Sequence, residues 1–357
     1  MIDQEQDTSD AIDLLKELIS IPSVSRNESE TATLLENFLQ AKEINCSRMD
    51  NNVIAKNLLF DESLPTILLN SHHDTVKANS GYTMNPYEPI IRDGKLYGLG
   101  SNDAGGALVS LLTVFIRLYR KKLPYNLIMV ASAEEEISGP KGIASVLPSL
   151  GKLTLAVVGE PTQMQLATAE KGLMVLDCSV TGKAGHAARR NGENAIEKSI
   201  NDLRWLTDYE FGEESEMLGK VHLSVTQINA GTQHNVIPEK CDYVVDVRTT
   251  DAYTNEEVLS IIRENVKAVV KPRSTRLQPS GIADDHPIVE VAKLLDIKTF
   301  GSPTLSDQAL IPVDSVKIGP GKSERSHMAD EYIYLSEITD GIEIYHKLLN
   351  TLNLSGI

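Results

Sequence analysis

Four places in the chain set metal-binding or proton-carrying side chains directly after a short apolar run or inside a glycine-rich turn. TILLN (66–70) leads into Ser71, His72, His73 and Asp74, and NLIMVAS (126–132) leads, after Ala133, into Glu134, Glu135 and Glu136. LTLAVVG (153–159) leads into Glu160, and Asp103 lies in GLGSNDAGG (98–106). A histidine with an aspartate two residues on suits a metal site. One imidazole nitrogen takes the ion, and the other donates its N–H to a carboxylate that fixes tautomer and basicity. Taken alone, the His-x-Asp pair reads as well as a solvated turn, the three glutamates as a solvated face and Asp103 as a helix cap. Three identical glutamates also leave open, by one position, which would be a base and which a ligand. The turn around Asp103 lacks the third glycine of GxGxxG and the Gly-Lys-Ser/Thr ending of a phosphate loop, so neither nucleotide motif is present.

The preceding elements are what would make these places one site. Each apolar run is too short for an average helix and too uniformly apolar for a half-exposed strand, so each reads as a buried strand of an α/β sheet. Sites in open α/β sheets form at the carboxyl ends of strands, and three strands here deliver histidine or carboxylate to that edge. The pattern predicts a helix capped by Asp10, with Ile12, Leu15, Leu18 and Ile19 on one face and Pro22 as its stop. Further helices are expected over about 28–40, 105–122 and 139–147. From Lys171 the pattern becomes strand (LMVLDCSVTGK), helix (193–209), two strands (221–231 and 241–250) and helix (255–270). That β-α-β-β-α order predicts a small α/β sandwich with an antiparallel sheet. The tail from about Ser280 returns to helix–strand alternation. The expected fold is therefore α/β, with a mixed-sheet catalytic domain over 1–170 and 278–357 and a smaller α/β sandwich inserted at 171–277.

Composition narrows the function. At about 150 residues per domain, 357 residues suit two domains. With 34 basic against 50 acidic residues the net charge is −16, a poor match for nucleic acid or an anionic membrane. The longest apolar stretches, such as that at 107–116, fall short of the roughly 18 residues of a membrane span. The acidic, polar opening MIDQEQDTSD has no secretory pattern. Cys46, Cys178 and Cys241 are scattered and form no CxxC, which fits a reducing cytoplasm.

Seven segments, taken together, resemble the co-catalytic zinc family of aminoacylases and carboxypeptidases, which includes acetylornithine deacetylase, acetyl-lysine deacetylase and succinyl-diaminopimelate desuccinylase. They are NSHHDTV (70–76), RDGKLYGLGSNDAGGAL (92–108), SAEEEISGPKG (132–142), VVGEPT (157–162), GKAGHAA (182–188), HNVIPEKCDYVVDVR (234–248) and GPGKSERSHMADEYI (319–333). They occur in the family's order and span most of the chain. The resemblance implies two Zn²⁺ ions, with Co²⁺ or Mn²⁺ as substitutes, held by His72, Asp103, Glu136, Glu160 and His327. Asp103 would be shared, Glu136 would pair with His327 and His72 with Glu160. It makes Asp74 the carboxylate that orients His72, and Glu135 the general base for amide hydrolysis. Relatives usually carry an aspartate where this chain has Glu134, and Met-Lys-Gly where it has Ala-Gly-Gly after Asp103.

In the inserted domain the resemblance places His186, Asn235 and Arg248 at the substrate. Without it, His186 reads as a loop histidine and Arg248 as a surface residue at a strand end. It further implies a homodimer formed through the inserted domain and a role in amino-acid biosynthesis, with arginine biosynthesis first. The expected substrate is a small N-acyl amino acid such as N-acylornithine, acetyl being the default acyl group and succinyl open. N-acetylcitrulline, N-acetyl-lysine and dipeptides are the alternatives. A metal-free relative acting only as a binding module would be expected to have lost a ligand or the base, and all are present.

Overall fold

Three of the apolar runs become neighbouring parallel strands. Thr66–His72 pairs in parallel with Asn126–Ser132 on one side and Leu155–Val158 on the other, and Ser315–Lys317 lies parallel beyond Leu155–Val158. Every residue of these four strands is buried. The reason is that both faces are covered. Ile67, Leu69, Leu127, Met129 and Val157 share a core with the helices Gln4–Ser20, Ser29–Ala41, Gly106–Leu118 and Leu335–Thr351. Their sequence neighbours Leu68, Ile128, Val130 and Val158 point the other way, into a core with the helix Ile143–Leu150. Full burial of one such leucine is worth about 1.5–3 kcal/mol, which is why uninterrupted apolar runs occur at these positions. Antiparallel strands flank the parallel ones. Asn52–Lys56 pairs with Asn126–Ser132, Cys46–Met49 pairs with Asn52–Lys56, and Leu166–Glu170 meets Ser315–Lys317. The fold is α/β with a mixed sheet, as the pattern predicts.

The computed structural model describes residues 4–189 and 191–354. It separates into two units. The first runs up to Thr168 and includes Ile282–Phe300 and the chain from Ser306 on; the second is Ala169–Gly281 with Gly301–Leu305. In the second unit a four-stranded antiparallel sheet has the order His222–Ala230, Lys240–Thr249, Gly172–Thr181, Val269–Pro272. Lys240–Thr249 alternates, with Cys241, Tyr243, Val245 and Val247 buried in a core that also takes Leu206, Val258 and Ile262 of two helices. Asn194 caps the helix Ala195–Asp208, and a capping box between Thr254 and Glu257 opens the helix Asn255–Asn265.

Several expected boundaries move. Asp10 lies inside the first helix, described from Gln4, where it accepts the Gln6 amide at 2.7 Å and pairs with Lys42. The helix expected over 139–147 starts only at Ile143, because the glutamate turn takes up the chain before it: Ser138 N donates to Glu135 O and Gly139 N to Glu134 O, both at 2.7 Å. The helix expected to reach 270 stops at Asn265. There the Asp202 carboxylate accepts the Lys267 and Ala268 N–H groups at 3.0 and 2.9 Å, and Val269–Pro272 becomes the fourth strand. The hairpin Cys46–Met49/Asn52–Lys56 was not legible in the pattern; its turn puts Asp50 at φ 51°.

Candidate metal centre

The carboxyl ends of the parallel strands carry the site, and all seven residues expected at or beside the ions lie in the first unit. His72 ends its strand almost fully buried. Its Nδ1 lies 2.9 Å from the Asp74 carbonyl oxygen, so Nδ1 carries the proton and Nε2 presents its lone pair. That Nε2 is 3.4 Å from Asp103 Oδ1, 3.7 Å from Glu160 Oε1 and 3.9 Å from Glu135 Oε2. The other Asp103 oxygen, Oδ2, is 3.5 Å from His327 Nε2, which lies 3.0 Å from Glu136 Oε2. Two donor groups result, His72–Asp103–Glu160 and Asp103–Glu136–His327, each with ligand atoms within 4.8 Å of one another. Asp103 belongs to both.

The glutamate run divides three ways. The strand ends at Ser132, and Glu134 takes a left-handed conformation (φ 54°). Its carboxylate turns away to accept Lys141 N–H at 3.2 Å and lies so close to Gly139 that a Cβ there would come within 1.9 Å of it. Glu135 faces His72 and Glu136 faces His327. The turn is fixed by Asp74, whose carboxylate accepts Glu135 N–H at 3.0 Å, Glu136 N–H at 3.2 Å and the Ser25 hydroxyl at 2.6 Å. The Asp74 carboxylate, expected to orient His72, stands 3.5 Å from the ring Nδ1, while the Asp74 carbonyl makes the shorter contact to that nitrogen at 2.9 Å.

Asp103 sits in the wound turn Ser101–Gly105, entered through Gly100 at φ 77°, a conformation glycine adopts without steric cost. Two residues that sequence reasoning gave no role shape this turn. Glu331, 2% exposed, accepts N–H groups from Asn102 at 2.8 Å, Asp103 at 3.0 Å and Gly100 at 3.2 Å. Asn102 donates to Lys322 O at 3.0 Å and accepts Lys322 N–H at 2.9 Å, tying the turn to the segment that carries His327. That segment is held in turn by Arg325, bidentate to Glu337 at 2.7 and 3.1 Å. A third missed residue is Asp307, buried at 3% exposure, which accepts Asn70 Nδ2 at 2.8 Å and Ser132 Oγ at 2.6 Å.

The electrostatics are those of a cation site. Burial pushes the Glu135 carboxyl well above the usual carboxylate range, against His72 and with help from Glu160, Asp307 and Glu136. Burial likewise raises Glu160 to about 8 and Glu331 to about 8. His327 rises to about 9, mainly through its hydrogen bond to Glu136. For His72, burial acts downward, but Asp103 and Asp74 with the charges of Glu135 and Glu160 carry it well above its ordinary value. Seven carboxylates (Asp74, Asp103, Glu135, Glu136, Glu160, Asp307 and Glu331) crowd two imidazoles, an arrangement that costs free energy unless protons or cations compensate it. Imidazole nitrogens and carboxylate oxygens in two sets fit two divalent metal ions.

The expected substrate residues lie in the second unit. His186 and Asn235 are neighbours there. Gly185–His186 pairs with Val236–Ile237, and Ala187 N–H donates to Asn235 O at 3.0 Å; both side chains are exposed. Arg248 lies on the strand Lys240–Thr249, with its guanidinium on Asp246 at 2.8 and 3.2 Å. His73, given no role, is buried between Thr31 Oγ1 at 2.8 Å and Asn51 O at 2.9 Å.

Residues 68–351 match the family described as peptidase family M20/M25/M40, and the chain belongs to that family. Among its relatives, the acetylornithine deacetylase of Proteus mirabilis is 27% identical over 377 residues, covering 96% of this chain and 97% of that one. Among solved structures, the aminopeptidase PepT of Bacillus cereus superposes with a TM-score of 0.78 at 18% identity, covering 96% of this chain and 98% of that one. The YXEP protein of Bacillus subtilis, described as a dinuclear metal-binding peptidase of the M20 family, gives a TM-score of 0.74 at 18% identity, covering 98% of this chain and 100% of that one. Among the described residues no helix is long and apolar enough to cross a membrane.

Proposed function

We propose that the protein is a dinuclear metal-dependent amidohydrolase that removes the acyl group from a small N-acyl-L-amino acid, with N-acetylornithine as the first candidate. The observation that carries this reading is Asp103, whose two carboxylate oxygens face two histidines, each backed by its own glutamate. Zinc suits the donor set, with cobalt or manganese as substitutes. His72, Glu160 and Asp103 would hold one ion and Glu136, His327 and Asp103 the other. Bound ions supply Lewis acidity toward the acyl carbonyl and make the attacking water more acidic. Glu135, which lies outside both ligand sets with its Oε2 3.9 Å from His72 Nε2, takes the proton from that water and delivers it to the departing amine. Asp74 holds Glu135 and Glu136 in register by their N–H groups. In the second unit, His186 would stabilise charge developing on the acyl oxygen, while Asn235 and Arg248 would bind the substrate carboxylate, Arg248 by exchanging Asp246 for it.

The proposal includes a homodimer formed through residues 171–277, a lid role for that region, a cytoplasmic setting and a place in arginine biosynthesis. The choice of N-acetylornithine follows the name of the Proteus mirabilis relative; the homodimer, the lid role and the pathway rest on the family resemblance, and the cytoplasmic setting on the scattered cysteines. The test is kcat/KM with added zinc or cobalt on N-acetylornithine, N-succinylornithine, N-acetylcitrulline, N-acetyl-lysine and a dipeptide, with a chelated control. Chelator-sensitive turnover of an acyl-ornithine far above the dipeptide supports the reading. A dipeptide turned over faster than every acyl amino acid replaces it with a peptidase.

A further inference from the structure

Asp307 is a buried acid whose hydrogen bonds, among the described residues, come from neutral side chains, with His72 acting on it through charge alone. It is 3% exposed, and one carboxylate oxygen accepts both the Asn70 amide at 2.8 Å and the Ser132 hydroxyl at 2.6 Å. Both donors are fully buried on the two central parallel strands. Asn70 lies two residues before His72, and Ser132 three residues before Glu135. In the sheet register Ser132 stands opposite His72. The charge of Asp307 acts on His72 and on Glu135, and burial pushes its own carboxyl up to about 6. An amide and a hydroxyl do not neutralise a buried carboxylate, and such a charge destabilises a fold unless something positive answers it.

Resting on the dinuclear reading above, we infer that Asp307 is a positioning residue for the metal centre: without touching an ion, it braces the ends of the two ligand-bearing strands and adds a buried negative charge that draws the cations in. Its cost falls on the metal-free fold and its benefit appears when ions bind. This separates it from an ordinary structural carboxylate, whose removal would simply loosen the protein. It also makes Asp307→Asn an informative change. The asparagine oxygen can still accept from Asn70 and Ser132, and Asn70, the side chain that donates to it, also has its Oδ1 buried without a hydrogen-bond partner.

The experiment titrates metal-stripped wild type, Asp307→Asn and Ser132→Ala with Zn²⁺ and with Co²⁺ against a chromophoric chelator, and records the melting temperature of each metal-free form. The expected result for Asp307→Asn is metal affinity about 10- to 100-fold weaker, with a metal-free melting temperature equal to or above that of wild type. Ser132→Ala, which removes one donor but keeps the charge, should hold its ions within about threefold of wild type, well inside that range. The inference is overturned if Asp307→Asn binds both metals as wild type does, if its metal-free form melts well below wild type, or if Ser132→Ala loses as much affinity as Asp307→Asn. A wild type that takes up fewer than two ions, with uptake indifferent to His72→Ala, refutes the dinuclear reading itself and this inference with it, and that outcome shows before any Asp307 variant is compared.

Discussion

The Asp74 carboxylate accepts the backbone N–H of Glu135 at 3.0 Å, and this contact joins the end of one parallel strand to the turn that leaves the next. Its second oxygen does the same for Glu136 at 3.2 Å. Replacing it by asparagine sets an amide N–H against these donors. Asp74→Asn is expected to lower kcat by about 10- to 100-fold while the protein still takes up metal, a split read from steady-state kinetics beside metal analysis.

Glu135 and Glu134 differ in sequence position by one residue and in surroundings completely. Glu135→Gln should retain two ions and lose about 10²- to 10⁴-fold in kcat, the usual reach of general acid–base catalysis. Glu134→Gln, at a side chain turned toward Lys141, should leave kcat within a few-fold. The reverse ranking would assign the base to Glu134.

Asp103 serves both donor groups, whereas Glu160 and Glu136 serve one each. Metal content after gel filtration should therefore fall from two ions to one in Glu160→Ala or Glu136→Ala, and toward none in Asp103→Ala. Loss of a single ion from Asp103→Ala would contradict a shared ligand.

The metal-free protein should weaken as pH rises from about 6 to 9. Glu160 is raised from its ordinary 4.5 to about 8, so its protonated form contributes stability that is complete below about pH 4.5 and lost as pH rises through 8. His327, raised from 6.5 to about 9, acts in the same direction, with its contribution lost as pH rises through 9. The lowered carboxyls of Asp74 and Asp103 contribute above their ordinary 3.8 and matter only in acid, outside this window. Melting temperatures across this range should decline without metal and stay flatter with zinc. Zinc binding at pH 7 should release protons, measurable by calorimetry in buffers of different ionisation enthalpy. A metal-free melting temperature that climbs toward pH 9 would contradict these assignments.

Much of the centre was legible because each strand announces its own end. His72, the glutamate run and Glu160 follow apolar runs long enough to read as strands. Ser315–Lys317, the strand before the His327 segment, is too short to show any period, so His327 came from motif resemblance. Asp307 and Glu331 gave no local signal, because their meaning lies in partners far along the chain: Asp307 bonds Asn70 across 237 positions and Glu331 bonds Asn102 across 229. Pattern and fold part where a tertiary contact overrides local preference. The segment after Asn265 carries a helical pattern, yet Asp202 captures two of its N–H groups and the chain extends into a strand.

The proposed assignments fall on different units, which bears on how such a protein would diversify. All five candidate ligands and Glu135 belong to the first unit, while His186, Asn235 and Arg248 belong to the second. Under the proposed function, hydrolysis and choice of substrate would be written on separate stretches of chain, which have separate hydrophobic cores. On that reading a substitution at 169–281 would retune selectivity while leaving the candidate ligands unchanged, and an exchange between relatives of different specificity would have to carry Gly301–Leu305 along with 169–281.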